Sequence, residues 1–311
     1  MSHLSRLSRP SGVKDGRSRL AAEFTAARPR LMAVAYGMLG TVDDAEDVVQ
    51  ESWLRLSEAA EREEIRDVTG WLVVAVARLA MDHLKSARVR RERYVGPWLP
   101  EPVVAGDGAD PADRITLDES LSMAMLVVLE SLTPAERTSF LLHDVFGLTF
   151  PEVARAVGRT PAACRQLAAR ARGHLAARAP RVQVSEAEHR RVVAAFATAV
   201  EGADYDALLE LLDPEVVLRA DGGGRVLAAR RPVLGSAKTA LFISRLAGRY
   251  LRAGCRVRPV TVNGSPGLAY GCGDDLSGVA GVTVSDGRVT SIDLVRNPEK
   301  LRRVPWDTDR V

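Results

Sequence analysis

The stretch TFPEVARAVGRTPAACRQLAARARGHL, Thr149 to Leu175, reads as two short helices joined by a tight turn. Thr149 and Glu152 stand at capping-box spacing, so a hydroxyl and a carboxylate can satisfy backbone donors that lack an intrahelical partner. Gly158 closes the first helix. Thr160 then caps a second, with Pro161 at the position where its missing N–H costs nothing. Cys164, Leu167, Ala168, Ala171 and Leu175 recur at helical spacing as an inward stripe, and Ala162, Arg165, Gln166, Ala169 and Arg170 form the opposite one.

That outer stripe carries one sign of charge. Between Val153 and Val184 lie Arg155, Arg159, Arg165, Arg170, Arg172, Arg178 and Arg181, with no lysine and no acid among them. A solvated helix face ordinarily mixes signs. Guanidinium forks beside small alanines suit close approach to phosphates and to guanine edges in a major groove, which makes this a candidate DNA-reading helix-turn-helix. The plain alternative is an antiparallel helix pair with a basic exterior.

Working outward, the 311 residues exceed what one core usually holds, so two or three domains are expected. The formal charge is only +3, so any nucleic-acid signal lies in how charge is segregated rather than in its total. Acids crowd Asp43 to Glu51, whereas Lys85, Arg88, Arg90, Arg91 and Arg93 crowd a later segment. Such polarity suggests two different macromolecular partners. No apolar run is long enough to span a bilayer and the start has no apolar leader core, so a cytoplasmic protein without membrane contact is expected. Cys164, Cys255 and Cys272 are an odd, scattered set, and no histidine joins them at metal-ligand spacing. Neither a disulfide framework nor a metal site is expected, and no cofactor.

Residues 1–19 are Ser- and Arg-rich without periodicity and are expected to be a disordered tail. Residues 20–93 read as a helical domain. In its TVDDAEDVVQESWLRLSEAAE segment, Ala45, Val48, Val49, Ser52 and Leu56 share one face, and Asp43, Glu46, Asp47, Gln50 and Glu51 the other. Acids near a helix start favour the dipole, yet they repel one another along the face, and a basic partner would relieve that. A further helix, about Thr69 to Arg93, starts apolar and ends basic. Residues 94–114 are a Pro- and Gly-rich connector in which Trp98 and Leu99 are unusually apolar for a free linker. Residues 115–180 form a second helical domain holding the opening stretch. From 181 to 311 helices give way to short β-rich runs (EVVLRA, RVLAA, CRVRPVTVN, GLAYGC, GVAGVTV, RVTSIDLV) with turns such as Asp221-Gly222-Gly223-Gly224, predicting an α+β domain with a curved antiparallel sheet wrapped on helices.

Over about Glu23 to Arg178 the order of these motifs resembles bacterial alternative sigma factors of the extracytoplasmic-function type. In that family DAEDVVQESWLRL resembles the face that grips the clamp helices of the RNA polymerase β′ subunit. WLVVAVARLAMDHLKSARVRRER resembles the segment that melts and reads the minus-ten promoter element, although many members carry Asn where this chain has Leu79. The opening stretch resembles the reader of the minus-thirty-five element. A narrower subgroup is closer still: its members carry a fused SnoaL-like, cone-shaped C-terminal domain in place of a separate anti-sigma partner. Its WLPEP linker, DGGG-plus-basic turn and terminal NPDKL-like motif stand here as Trp98 to Pro102, Asp221 to Arg225 and Asn297 to Leu301, with Arg225 in place of Lys and Glu299 in place of Asp.

The resemblance implies an alternative sigma factor that makes and breaks no bond. It would bind core polymerase, through the β′ clamp helices and the β subunit, and direct promoter-specific initiation under control of its own C-terminal domain. Arg165 and Gln166 are the expected base contacts. Arg155, Arg159, Arg170 and Arg172 are expected on phosphate, and Arg88, Arg90 and Arg91 on DNA near the melted element. Trp98, Leu99, Asp221, Gly222, Gly223, Gly224, Arg225, Asn297 and Lys300 are expected to mediate contact between domains. A small ligand of the C-terminal domain is compatible with this reading. Two others stay open: a helix-turn-helix regulator acting without polymerase, and a SnoaL-like enzyme fused to a DNA-binding module, although no histidine follows His189 to serve proton transfer.

Overall fold

The computed structural model describes residues 11–92, 94–104, 121–177 and 184–306, the side chains of 11–17 and 87–92 excepted. The first helical unit packs α1 (Ser11–Leu39), α2 (Val42–Ala60) and α3 (Val68–Glu92). Its first helix starts at Ser11, well inside the segment expected to be an unstructured tail, so that expectation is corrected from residue 11 onward. Gly40, at φ +74°, breaks α1 from α2, and a Cβ there would lie 2.7 Å from the Trp98 ring. The buried side of α2 is Val42, Ala45, Val48, Val49, Ser52 and Leu56, as the spacing predicts.

The second helical unit comprises α4 (Met123–Leu129), α5 (Pro134–Phe140), a π-helical turn (Leu141–Val145), α6 (Phe150–Val157) and α7 (Pro161–Ala176). Both helices of the opening stretch form as its caps dictate. Thr149 and Glu152 make the capping box, Gly158 ends α6 at φ +70°, and the Thr160 hydroxyl accepts from the Ala163 N–H. The two helical units share one continuous core. Arg137 of α5 is buried at that junction, donating to the Gly37 carbonyl of α1 at 3.1 and 2.9 Å while pairing with Glu130.

The C-terminal domain contains α8 (Glu186–Glu201), α9 (Tyr205–Leu211) and α10 (Ser236–Leu251) beside a six-stranded sheet. Its strands are β1 (Leu212–Asp221), β2 (Val233–Leu234), β3 (Arg256–Val262), β4 (Ser265–Cys272), β5 (Asp275–Ser285) and β6 (Arg288–Val295), in the order β2-β1-β6-β5-β4-β3. The sheet is mixed rather than wholly antiparallel, because β1 and β6 run parallel. The run RVLAA, expected as a strand, is loop, and the short β2 follows it. One sheet face packs on α8, α9 and α10. The other meets the linker, α4 and the chain's last helical turn, α11 (Pro298–Leu301), through Leu99, Met123, Val262, Val279, Val295 and Leu301. Cys255 and Cys272 are joined as a disulfide, which corrects the expectation of none. The antiparallel register pairs Arg256 with Gly271, so the residues just outside that pair come face to face.

Candidate functional site

On α7 the side chains of Arg165, Gln166 and Arg170 are exposed, as is Arg159 in the turn before it. Cys164, Ala168, Ala171 and Leu175 are buried beneath them. The Arg165 guanidinium lies 5.1 Å from the centre of the Phe150 ring, a contact that orients it without covering it. Arg172, its side chain 47% exposed, also donates from Nε to Asp144 at 2.9 Å. Arg155 presents its backbone carbonyl to the Arg78 guanidinium at 3.0 and 2.6 Å, tying α6 to α3. Arg88, Arg90 and Arg91 belong to the end of α3, but their side chains lie outside the described residues.

The acidic face of α2 is partly covered. Asp47 and Gln50 are exposed, and Glu51 holds Arg55 one turn on at 3.0 Å. Asp43 and Glu46 instead receive the end of the chain: Arg303 reaches Asp43 at 2.8 Å and Glu46 at 2.6 Å, and Arg302 also pairs with Asp43. These partners keep 37 to 60% of their side-chain surface, so each pair is a surface contact worth about 0.2–1 kcal/mol.

The interdomain residues expected from the sequence come together as one cluster. Asp221 ends β1 fully buried. One carboxylate oxygen accepts from the Tyr94 hydroxyl at 2.6 Å and the Gly223 N–H at 3.0 Å; the other accepts from the Leu99 N–H at 3.0 Å and Lys300 Nζ at 2.8 Å. Lys300 also donates to the Leu99 carbonyl, and its ammonium sits 4.1 Å from the centre of the Trp98 ring. It is aimed there by local chemistry. Asn297 caps α11 by accepting from the Glu299 N–H at 3.1 Å, Pro298 starts the turn, and the Asn297 amide donates to the Tyr94 hydroxyl at 3.0 Å. The turn after Asp221 is tight, not loose: Gly223 and Gly224 have φ of +62° and +70°, and a Cβ at Gly223 would lie 2.6 Å from the Asn297 amide. Arg225 is not the cation that faces the linker. It pairs with Glu299 on the surface, and Lys300 takes the buried role.

Four residues the sequence reading missed complete the cluster. Tyr94 is one. Glu101, inside the WLPEP signature, reaches from the linker to accept the Val42 N–H at 2.8 Å and so supplies the α2 cap that the Thr41 side chain, bonded to Asp44, does not. Tyr36 donates to the Glu101 carbonyl at 2.6 Å and accepts from the Asn263 amide at 2.7 Å. Asn263, in the β3–β4 turn, takes the Val103 N–H on its side chain and gives its own N–H to the Val103 carbonyl at 2.8 Å. The linker thus adds a short bridge, Val104 to Val262, to the open edge of the sheet. The sequence signal for these contacts is the linker's odd mixture of prolines and aromatics around Glu101.

Sigma-70 region 2 matches residues 24–90, spanning α1 to α3, and Sigma-70 region 4 matches residues 122–175, spanning α4 to α7. The ECF RNA polymerase sigma factor SigJ of Mycobacterium tuberculosis is 41% identical over 296 residues, covering 91% of this chain and 93% of that protein. This chain belongs to the extracytoplasmic-function sigma factors. The probable sigma factor SigI of the same species is 36% identical over 289 residues, covering 91% of this chain and 94% of its own. The crystal structure of the M. tuberculosis SigJ protein superposes with a TM-score of 0.75 at 38% identity, covering 91% of this chain and 98% of that one, so the likeness extends through the C-terminal domain. The chain is accordingly an alternative sigma factor that directs transcription initiation. Sigma factors act on core polymerase and promoter DNA, and among the described residues no helix of this one is long and apolar enough to cross a membrane.

Proposed function

We propose that the C-terminal domain holds this sigma factor closed and stands in for a separate anti-sigma partner. The observation that carries the proposal is the placement of Arg302 and Arg303 on Asp43 and Glu46, the acids of α2 read as the grip on the polymerase β′ clamp helices. Region 4 supplies the contact to the β subunit. Arg165 and Gln166 read base edges, while Arg159 and Arg170 hold phosphates, and Arg88, Arg90 and Arg91 engage DNA at the melted element. Arg172 serves chiefly to hold α7 on Asp144.

Geometry favours a closed resting form. Promoter elements at minus ten and minus thirty-five lie about 25 base pairs apart, about 85 Å of duplex at about 3.4 Å a step. Here α3 and α6 touch through Arg78, so engagement of both elements requires the two helical units to part. The two halves of the restraint differ in strength. The exposed arginine pairs can be displaced by a competing basic surface, whereas the buried Asp221–Lys300 pair resists until the linker moves.

Run-off transcription with core polymerase tests this. The full-length R302E/R303E variant is expected to bind core more tightly than wild type and to yield several-fold more transcript at limiting sigma. Equal core affinity and equal transcript for the two proteins would overturn cis control.

A further inference from the structure

Every charged side chain between Asp221 and Asp274 is a cation, the same bias that marks the stretch holding α7. The helix of this segment, α10, sorts its cations onto one side. Lys238, Leu241, Arg245, Arg249 and Arg252 are exposed, and at about 100° of turn per residue they fall within about 80° of the helix circumference. The buried Thr239, Ala240, Ile243 and Ala247 hold α10 to the domain. At about 1.5 Å a residue, the exposed row runs about 21 Å.

These cations are left open. Other exposed arginines meet acids: Arg55 pairs with Glu51, Arg190 with Glu186 and Arg225 with Glu299. Among the described residues Lys238, Arg245, Arg249 and Arg252 make no ion pair, although α9, packed beside α10, carries exposed Asp206 and Glu210. Like charges one turn apart, as at Arg245 and Arg249, destabilise a helix, and a polyanion laid along the row relieves that repulsion. Duplex DNA matches the row in scale, because it offers one phosphate for every 1.7 Å or so of its axis. A sigma factor also brings DNA close, so a second weak contact gains from the first. A bilayer surface would call for an apolar face beside the cations, and Leu241, 42% exposed, is the one large apolar side chain exposed on α10.

We infer that the outer face of α10 binds the phosphate backbone of duplex DNA, giving the C-terminal domain an electrostatic DNA contact of its own. Phosphate contacts position a protein without reading sequence, so this face adds affinity and leaves promoter choice to the helical units. It is independent of cis control. The linker and α11 meet the other face of the sheet, whereas α10 lies on the helical side.

The test titrates the full chain with a duplex that lacks promoter elements, by fluorescence anisotropy at several salt concentrations. Each phosphate contact contributes about 0.9 to the slope of log affinity on log salt, so K238Q/R245Q/R249Q is expected to flatten the slope by about 2 to 3 and to bind about tenfold more weakly at low salt. R190Q/R191Q, which removes exposed cations from α8, controls for net charge and should leave both unchanged. A photoreactive benzoylphenylalanine placed at Leu241, inside the row, should cross-link to the duplex. An unchanged slope, a slope flattened as much by the α8 variant, or no cross-link from 241 to the duplex overturns the inference. A larger loss of binding to phosphatidylglycerol vesicles than to duplex, on the same α10 substitutions, would point to a membrane surface and overturn it too.

Discussion

Two helices of this protein turn a charged face outward, arginine-rich on α7 and mainly acidic on α2, and the fold treats them differently. On α7 the arginines at 165 and 170 and the glutamine at 166 are open to solvent, held up by a buried small-residue stripe and covered by nothing among the described residues. On α2 the acids at 43 and 46 sit at the same kind of surface but are met by Arg302 and Arg303 from the other end of the chain. The difference teaches where restraint acts. On the function proposed above, the α7 face needs no masking while α3 and α6 stay tied through Arg78. The acidic face of α2, proposed above as the grip on polymerase, is the one that the C-terminal segment partly covers.

The comparison breaks most sharply at Lys300. Its side chain is 8% exposed and Asp221 is 0% exposed, so Lys300→Met leaves a buried carboxylate without its counter-ion. Breaking one side of a buried pair typically costs about 3–5 kcal/mol, several times the worth of the surface pairs at Arg302 and Arg303. The variant is expected to release the linker and, with it, the tail on α2. Hydrogen exchange should show backbone protection falling at Leu99, Glu101 and Val103, whose N–H groups bond Asp221, Gly40 and Asn263. Undiminished protection there would mean that the covering of α2 does not depend on this latch.

How much of this was legible follows from the range of each interaction. The helices at 149–175 are specified by neighbours three and four residues away, and caps, stripe and turn all form where the spacing puts them. The acidic face of α2 is legible for the same reason. Asp221, the glycines, Asn297 and Lys300 can be named from the sequence as contact residues, but which cation meets the linker cannot. Choosing Lys300 over Arg225 depends on the direction in which one turn of α11 points. Glu101 capping α2, the parallel β1–β6 pair and the Cys255–Cys272 disulfide all depend on contacts between residues far apart in the chain or on strand register, for which local spacing holds no record. The early start of α1 at Ser11 was hidden because that segment lacks an apolar period.

An effect of middle size sharpens the other side of the comparison. Arg165→Ala removes an exposed fork already aimed by Phe150 and should cost about 1–3 kcal/mol of discrimination between matched and scrambled sites if it reads a guanine edge. Arg170→Ala should instead weaken binding on every sequence and lower the salt slope. Arg172→Ala should do little of either, because that guanidinium is held by Asp144. Titrations of holoenzyme on matched and scrambled promoters at two salt concentrations separate the three. Identical losses for all three variants would mean that α7 presents a uniform basic surface without readout.

The smallest effect concerns pH and joins the two faces through Glu101. Burial pushes its carboxyl above the ordinary value, opposed by the bond from the Val42 N–H; Asp43 adds to the rise, and Arg303 and Arg302 hold it down. A carboxyl whose pKa rises on docking takes up a proton more readily docked than free. Linker docking is therefore favoured below the free-linker pKa, and that stabilisation is lost as pH rises through the docked value. Acidification from pH about 7.5 to about 5 should tighten the linker modestly, read as slower hydrogen exchange at Glu101 and Val103 after correction for intrinsic rate, and Glu101→Gln should flatten the response. Taking away Arg302 and Arg303 removes the cations that hold the carboxyl down, so in R302E/R303E the tightening should begin at a higher pH than in wild type. If the response does not shift upward, the tail arginines are not near enough to α2 in solution to be felt by the linker, and the covering of the acidic face fails along with it.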